Sequence, residues 1–381
     1  MTDVPRTYLD WNASAPLRPA ARDALLAALE ECGNPSSPHR EGQRARALLE
    51  SSRDQVAAFL GCAPAEVVFT SGGTEANDLA LHLLSVGATV RRFAVGRIEH
   101  PSVLGPLTAR AAKGWEVTWL PVGEDGRVSG AELPTAGVGF GVLQAANHET
   151  GALQPLAFAA ERWSAVGLPW HCDAVQAWGR VPLSVEELGC ATASLSGHKL
   201  GAPKGVGALF VRRGTSTQGR LLGGMQERGL RAGTENLPGI AALAAACDAA
   251  ATDREGDATW CASLRDRLQA GALAAHELAR VNGPGADDQR LPNTVNLSFP
   301  GIHGELLVQA LDLEGVAVSA GSACASGASD PSPVLQAMGL PPWRVASAVR
   351  VSLGGTTRAG AVDAFLAALG RVLPRLRGTG G

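Results

Sequence analysis

Between residues 67 and 212 the sequence repeats one local pattern: a short apolar run, a polar residue at its end, then a turn into a helical stretch. Val67-Val68-Phe69-Thr70 leads into Ser71-Gly72-Gly73-Thr74-Glu75, and further strands are expected at 92–95, 115–120, 138–146, 168–172, 192–195 and 205–212. The run 138–146 is almost wholly apolar or small, as a central parallel strand covered on both faces must be. Strands alternating with helices predict a three-layer α/β domain. In such sheets ligands gather where the strands end, and Thr74, His100, His148, Asp173, Ser196 and Lys199 all fall at such ends.

The chain has 381 residues, enough for a large core and two domains. Beyond Leu243 an Ala-rich helical region leads to strands at 295–299, 316–319 and 349–352 separated by helices, the pattern of a smaller α+β domain. Toward the N-terminus, a strand or extended arm is expected at 8–12, a helix at 20–29 and another at 41–60 with Gly61 as its C-cap. Net charge is −3 with no block of like charges, which argues against nucleic acid or an anionic membrane as partner. No apolar run approaches the ~20 residues of a membrane span, and the N-terminus carries no apolar signal core. The seven cysteines are odd in number and form no Cys-x-x-Cys pair, so neither a metal site nor a disulfide framework is expected. A cytoplasmic protein is the expectation.

Lysine usage narrows the chemistry. Of thirty-three Lys and Arg residues only Lys113, Lys199 and Lys204 are lysines. An amine can form a Schiff base, whereas Arg stays protonated near neutral pH. Lys113 reads as an ordinary surface lysine. Lys199, in Ser196-Gly197-His198-Lys199 before a glycine-rich return, has small and polar neighbours that leave room for a ligand. The Ser71–Glu75 turn offers free backbone N–H groups at a helix start, which suits a phosphate, and Thr74 adds a hydroxyl. The same residues would also serve as a plain capping box, and Asp173 as a plain N-cap. The turn has neither a P-loop ending nor Gly-x-Gly-x-x-Gly spacing, which speaks against ATP and NAD. Cys324 lies in a Gly/Ser/Ala-rich stretch without apolar cover, where a thiolate can act as nucleophile. Cys32, Cys62, Cys190, Cys247 and Cys261 read instead as small, inert hydrophobes.

With these residues in place, the chain resembles a cysteine desulfurase of the NifS/IscS type, in the class V aminotransferase family of fold type I pyridoxal phosphate enzymes. The motifs that carry the resemblance are GNPSSPH, VFTSGGTEAND, EHPSV, NHETG, HCDAVQ, SGHKLGAPKGVGAL, RAGTEN and SAGSACASG, spread from YLDWNASAP to VRVSLG. It implies a three-layer α/β/α large domain at 14–255 with a mainly parallel seven-stranded sheet. A smaller α+β domain would comprise 1–13 and 256–381 and carry a mobile catalytic-cysteine loop at about 319–333.

The implied reaction converts L-cysteine to L-alanine with pyridoxal 5′-phosphate, sulfur passing to Cys324 as a persulfide. A sulfur-acceptor protein, an iron–sulfur scaffold or a sulfur carrier, would then take it. By the same resemblance Lys199 would hold the cofactor as a Schiff base and shuttle a proton, and Asp173 would pair with the pyridine nitrogen. Gln176 would hydrogen-bond the phenolic oxygen, and His100 would stack on the ring and move protons. Gly73, Thr74, Ser196 and His198 would bind the phosphate, joined by Thr234 from a neighbouring subunit, so a homodimer is implied. Arg350, assisted by Asn34, would clamp the substrate carboxylate. His148 stands where the family usually has Asn beside the phenolic oxygen, and imidazole can donate the same hydrogen bond. The sequence stops soon after its last helix, short of the tail used by housekeeping members, which leaves the acceptor open. Three rivals remain: an aminotransferase for small amino acids, a selenocysteine lyase, and an inactive cofactor-bearing scaffold.

Overall fold

The structure, a computed structural model, describes residues 6–320 and 331–377. After the short strand β1 (Thr7–Tyr8) come β2 (Val67–Thr70), β3 (Arg92–Gly96), β4 (Glu116–Leu120), β5 (Phe140–Val142), β6 (Trp170–Asp173), β7 (Thr192–Ser196) and β8 (Gly207–Val211). Strands β2 to β8 form one seven-stranded sheet in the order β2-β8-β7-β6-β5-β3-β4. Neighbours from β7 through to β4 run parallel, while β8 is antiparallel to both β7 and β2. The strand order jumps because helices carry the chain across the sheet faces, as parallel pairing demands. The mainly parallel seven-stranded α/β architecture is thus present.

One local departure has a physical cause. Strand β5 is shorter than the apolar run 138–146, because β3 ends at Gly96 and offers no further ladder. There the Gln144 N–H donates to the Glu99 carboxyl (2.7 Å) instead, while the chain keeps bonding toward β6 through Leu143 N–H to His171 O and Ala145 N–H to Asp173 O. Glycine is needed where β8 passes the turn after β2. A Cβ on Gly207 would lie 2.6 Å from Leu195 O and 2.7 Å from Gly72 Cα, closer than packed atoms allow. The expected cap of the helix Arg40–Leu60 is in place, with Gly61 left-handed at φ 74°.

A second apolar cluster, including Leu297, Phe299, Leu307, Phe365 and Leu369, underlies β9 (Arg280–Asn282), β10 (Thr294–Ser298) and β12 (Ala348–Ser352), which pair antiparallel in the order β12-β10-β9. Strand β11 (Val316–Ala317) pairs in parallel with β1, so the N-terminal arm belongs to this second body. One helix, Leu237–Ala275, serves both cores. Its residues from Leu237 to Ala250 bury into the first cluster, and Cys261, Leu264, Leu268 and Ala272 into the second. Among the described residues no helix is long and apolar enough to cross a membrane.

Candidate active site

At the ends of the central strands lies a cavity of about 540 Å³. Gly73, Thr74, His100, His148, Asp173, Gln176, Ser196, His198, Lys199 and Arg350 all line it. Residues brought together from six separate motifs therefore face one space. Asn34 and Thr234 do not: both are exposed, and Asn34 Oδ1 accepts a hydrogen bond from the Ser36 N–H within its own loop. Cys324 lies outside the described residues.

Lys199 sits on the short helix Gly197–Leu200 that follows β7. Its Nζ donates to the carbonyls of Asn12 and Ala13, the latter at 2.9 Å. The N-terminal arm thus reaches the sheet and aims the amine into the cavity. Gly201, left-handed at φ 86°, ends this helix against Pro16 and Arg18, where a Cβ would come within 2.7 Å of the Arg18 side chain.

Asp173 ends β6 and is buried. Asn77 Nδ2 donates to its Oδ2 (2.8 Å), while the Val175 N–H (3.1 Å) and Ser194 Oγ (3.3 Å) donate to Oδ1. Three donors on one buried carboxylate satisfy the rule that buried charge must be hydrogen-bonded. Asn77 is oriented in turn: its Oδ1 meets His171 Nε2 at 2.9 Å, which requires Nε2 to carry the proton. Burial pushes His171 down to about 4, with Asp173 opposing, so the ring is neutral at pH 7.

His100 caps the helix Pro101–Ala111, its Nδ1 accepting from the Ser102 N–H (3.1 Å) and lying 2.7 Å from Ser102 Oγ. Burial lowers its pKa, helped by the Lys199 charge and opposed by Asp173. The His148 ring meets His100 edge-on, with centroids 5.3 Å apart. Burial drives His148 well below the ordinary imidazole value, and His100, Arg350 and Lys199 add to that. Its Nδ1 is buried without a partner among the described residues. Beside these rings Glu99 and Glu149 are both buried carboxyls whose pKa burial raises, the first well above the usual range.

The turn Gly72–Thr74 opens the helix Gly73–Gly87, so its backbone N–H groups line the cavity together with Ser196, His198 and Lys204. Gly73 lacks the Cβ that would press on Val175 Cγ2 at 2.9 Å. Burial, then Lys199 and Lys204, lower His198 to about 4. Across the cavity Arg350, on β12 and 3% exposed, donates from Nη2 to Asp10 Oδ1 (2.6 Å) and from Nη1 to His148 O (3.0 Å). Its Nε has no partner among the described residues. Gln176 donates from Nε2 to Asn12 O (3.0 Å) and accepts from Arg180 Nη1 at Oε1.

The sequence reading missed Asp10, Asn12, Asn77, Ser102, Gln144 and Lys204. Asn77 had one local signal, lying one helical turn beyond Thr74 on the same helix. Asp10 and Asn12 had none, being ordinary polar residues in an arm.

This arrangement has a defined chemical fit. An amine, a buried carboxylate held in its acceptor form, an N–H-lined turn and two orphaned buried nitrogens surround a space sized for a small aromatic phosphate. Pyridoxal 5′-phosphate matches each donor set, and the fold with this site defines a fold type I enzyme that uses it. The sequence profile of the aminotransferase class-V family matches residues 7–365, and the chain belongs to that family. Pyridoxal phosphate is the family's cofactor. A protein named cysteine desulfurase from Cereibacter sphaeroides is 41% identical over 379 residues, covering 98% of this chain and 97% of that one. Another of the same name from a Nostoc species is 38% identical over 375 residues, covering 97% and 93%. A solved structure described as a NifS-like protein superposes with TM-score 0.91 at 33% identity, covering 97% of this chain and 100% of the other.

Proposed function

We propose that this protein is a pyridoxal-phosphate-dependent cysteine desulfurase that converts L-cysteine to L-alanine and loads the released sulfur on Cys324 as a persulfide. The observation that carries the reading is the placing of the Lys199 amine, the triply hydrogen-bonded Asp173 and the buried Arg350 guanidinium around one cavity. Relatives named cysteine desulfurase over nearly the whole chain support it.

When bound, the cofactor supplies an electron sink that makes the substrate Cα–H acidic. Lys199 holds the cofactor and then carries a proton at Nζ. Asp173, oriented by Asn77, keeps the pyridine nitrogen protonated. Gln176 and His148 hold the phenolic oxygen, and Gly73, Thr74, Ser196 and His198 hold the phosphate. His100, neutral with Nδ1 engaged by Ser102, stacks over the ring and accepts or donates a proton at Nε2. Arg350 binds the substrate carboxylate through the side left open by Asp10 and His148. The Cys324 thiolate attacks the substrate sulfur, the C–S electron pair returns to carbon, and proton uptake there completes alanine.

The same proposal extends to the assembly. The segment before Thr234 exposes Leu221, Leu222 (79%) and Met225 (80%), an apolar stretch that a second copy would cover while Thr234 reaches that copy's phosphate. The change of core along the helix Leu237–Ala275 supports a large domain at 14–255 and a small one at 1–13 and 256–381, bearing the cysteine loop at about 319–333. A cytoplasmic enzyme passing sulfur to an iron–sulfur scaffold or other carrier completes the reading.

Alanine and sulfide release from L-cysteine with a thiol reductant tests it, comparing wild type with Cys324→Ala. Equimolar products from the wild type alone are expected. Equal activity in the variant, or turnover without alanine, would move the assignment to an aminotransferase of the same family.

A further inference from the structure

Arg180 stands directly behind Gln176, in the turn after β6, on the side away from the cofactor cavity. Its Nη1 donates to Gln176 O (3.1 Å) and to Gln176 Oε1. Among the described residues no carboxylate comes within 4.0 Å of it, unlike the paired Arg53, Arg265, Arg290 and Arg350. A half-buried guanidinium without a counter-ion carries a desolvation cost, which brings Arg180 down to about 10, still charged at neutral pH. An uncompensated cation retained beside a cavity-lining amide needs a reason.

Hydrogen-bond chemistry supplies one. A guanidinium has five donors and no acceptor, so only the oxygen of the Gln176 amide can face it. That forces the NH2 group forward. There the Asn12 carbonyl, which can only accept, takes one of its two hydrogens at 3.0 Å. Both neighbours demand the same orientation, and the second N–H is left for the cavity that Gln176 lines. The Asn12 carbonyl also accepts from Lys199 Nζ, so the amide and the amine share one anchor. A cation hydrogen-bonded to the amide oxygen also polarises the amide and makes its N–H a stronger donor.

We propose that Arg180 is a positioning residue that locks Gln176 as an obligate hydrogen-bond donor toward the phenolic oxygen of pyridoxal phosphate and strengthens that donation with its positive charge. The inference rests on the cofactor placement proposed above. A donor to that oxygen, backed by a cation, disfavours protonation of the cofactor's imine nitrogen and so lowers the pH at which the bound cofactor's visible absorbance changes.

The experiment is a pH titration of that absorbance in the purified holoenzyme, for wild type, Arg180→Met, Arg180→Lys, Gln176→Ala and the Met/Ala double variant, with Lys199→Ala as control. Arg180→Met is expected to raise the midpoint by about half a unit to one unit, the scale of one lost charge-assisted contact. Arg180→Lys should raise it by less, keeping a cation without the fork. In the double variant the midpoint should match that of Gln176→Ala, because Arg180 acts through Gln176. A midpoint unmoved in both Arg180 variants, or an Arg180 effect that persists in full without Gln176, would overturn the proposal. If Arg180→Met does not fold, the shift in Arg180→Lys decides. Wild type lacking any Lys199-dependent absorbance would instead reject the cofactor placement itself.

Discussion

Asn77 and Asp173 are 96 positions apart, yet Asn77 Nδ2 lies 2.8 Å from Asp173 Oδ2, and the same amide joins Ser102 and His171. One buried side chain therefore links the helix after β2, the helix after β3 and the carboxyl end of β6.

Replacing Asn77 by Ala removes a neutral donor from a buried carboxylate and leaves His171 Nε2 without its acceptor. A loss of about 1.5–3 kcal/mol is expected, the cost of breaking a hydrogen bond to a charged group. Urea denaturation of the cofactor-free protein measures it. Cofactor titration should show weaker binding as well, since Asp173 loses its orienting contact. Unchanged values in both assays would contradict this account.

Glu227 accepts from both Nη atoms of Arg53 (2.9 and 2.8 Å) and from the Phe69 N–H (2.9 Å), in a segment where Glu227 itself is left-handed at φ 45°. Glu227→Ala leaves the buried Arg53 guanidinium with only the exposed Glu50 carboxylate (3.2 Å) and the Val67 carbonyl as partners, and about 3 kcal/mol of stability should go with it. The double variant Arg53→Met, Glu227→Ala should be less damaged than Glu227→Ala alone. Thermal unfolding of the two variants against wild type reads the difference.

Stability should fall as pH drops from about 6.5 toward 4, through two histidines that desolvation holds neutral. His171 and His198 are both depressed to about 4 from an ordinary value of 6.5. A group that binds its proton more weakly when folded makes the unfolded chain take up more protons across that window, so stability rises with pH there. Buried Glu99 and Glu149 carry the opposite sign, because their raised pKa favours the folded, protonated form as pH falls. His198→Asn isolates one histidine: its unfolding midpoint should depend less on pH between 6.5 and 4 than that of wild type, followed by circular dichroism. An equal slope would rule out His198 as a contributor.

Gly207→Ala pushes a methyl against Leu195 O and Gly72 Cα, both backbone atoms that cannot swing aside. Overpacking of this kind costs about 1–3 kcal/mol, and it displaces the turn proposed to bind phosphate. Cofactor dissociation should therefore accelerate more than in a variant of equal stability loss elsewhere, such as Leu369→Ala in the second core. Stopped-flow exchange with excess free cofactor compares the two.

Much of this site was visible in the amino-acid order. Thr74, His100, Asp173, Ser196 and Lys199 each follow a short apolar strand, and a strand end in an α/β sheet is where ligands bind. The residues that orient them were not visible. Asn77, Ser102 and Arg180 look like ordinary polar positions on helices and turns, and only their partners from other segments give them a task. Strand 138–146 was overestimated for a related reason: an apolar run records burial, whereas the pairing that makes a strand depends on how far its neighbour extends.

The sequence by itself determined what nearest neighbours can decide. These are the helix start at Pro101 and the cap at Gly61, the all-apolar strands, and the turn chemistry around Ser71–Glu75 and Ser196–Gly201. Such features depend on bonds between residues a few positions apart and on the backbone preferences of Gly and Pro. Only the tertiary structure decided that Arg350 would face Asp10, 340 positions away, that Arg53 would close on Glu227, and that Asn12 would carry both Lys199 and Gln176. Those contacts join buried polar groups, each of which must find a partner once water is excluded. Which partner it finds depends on the packing of the whole chain.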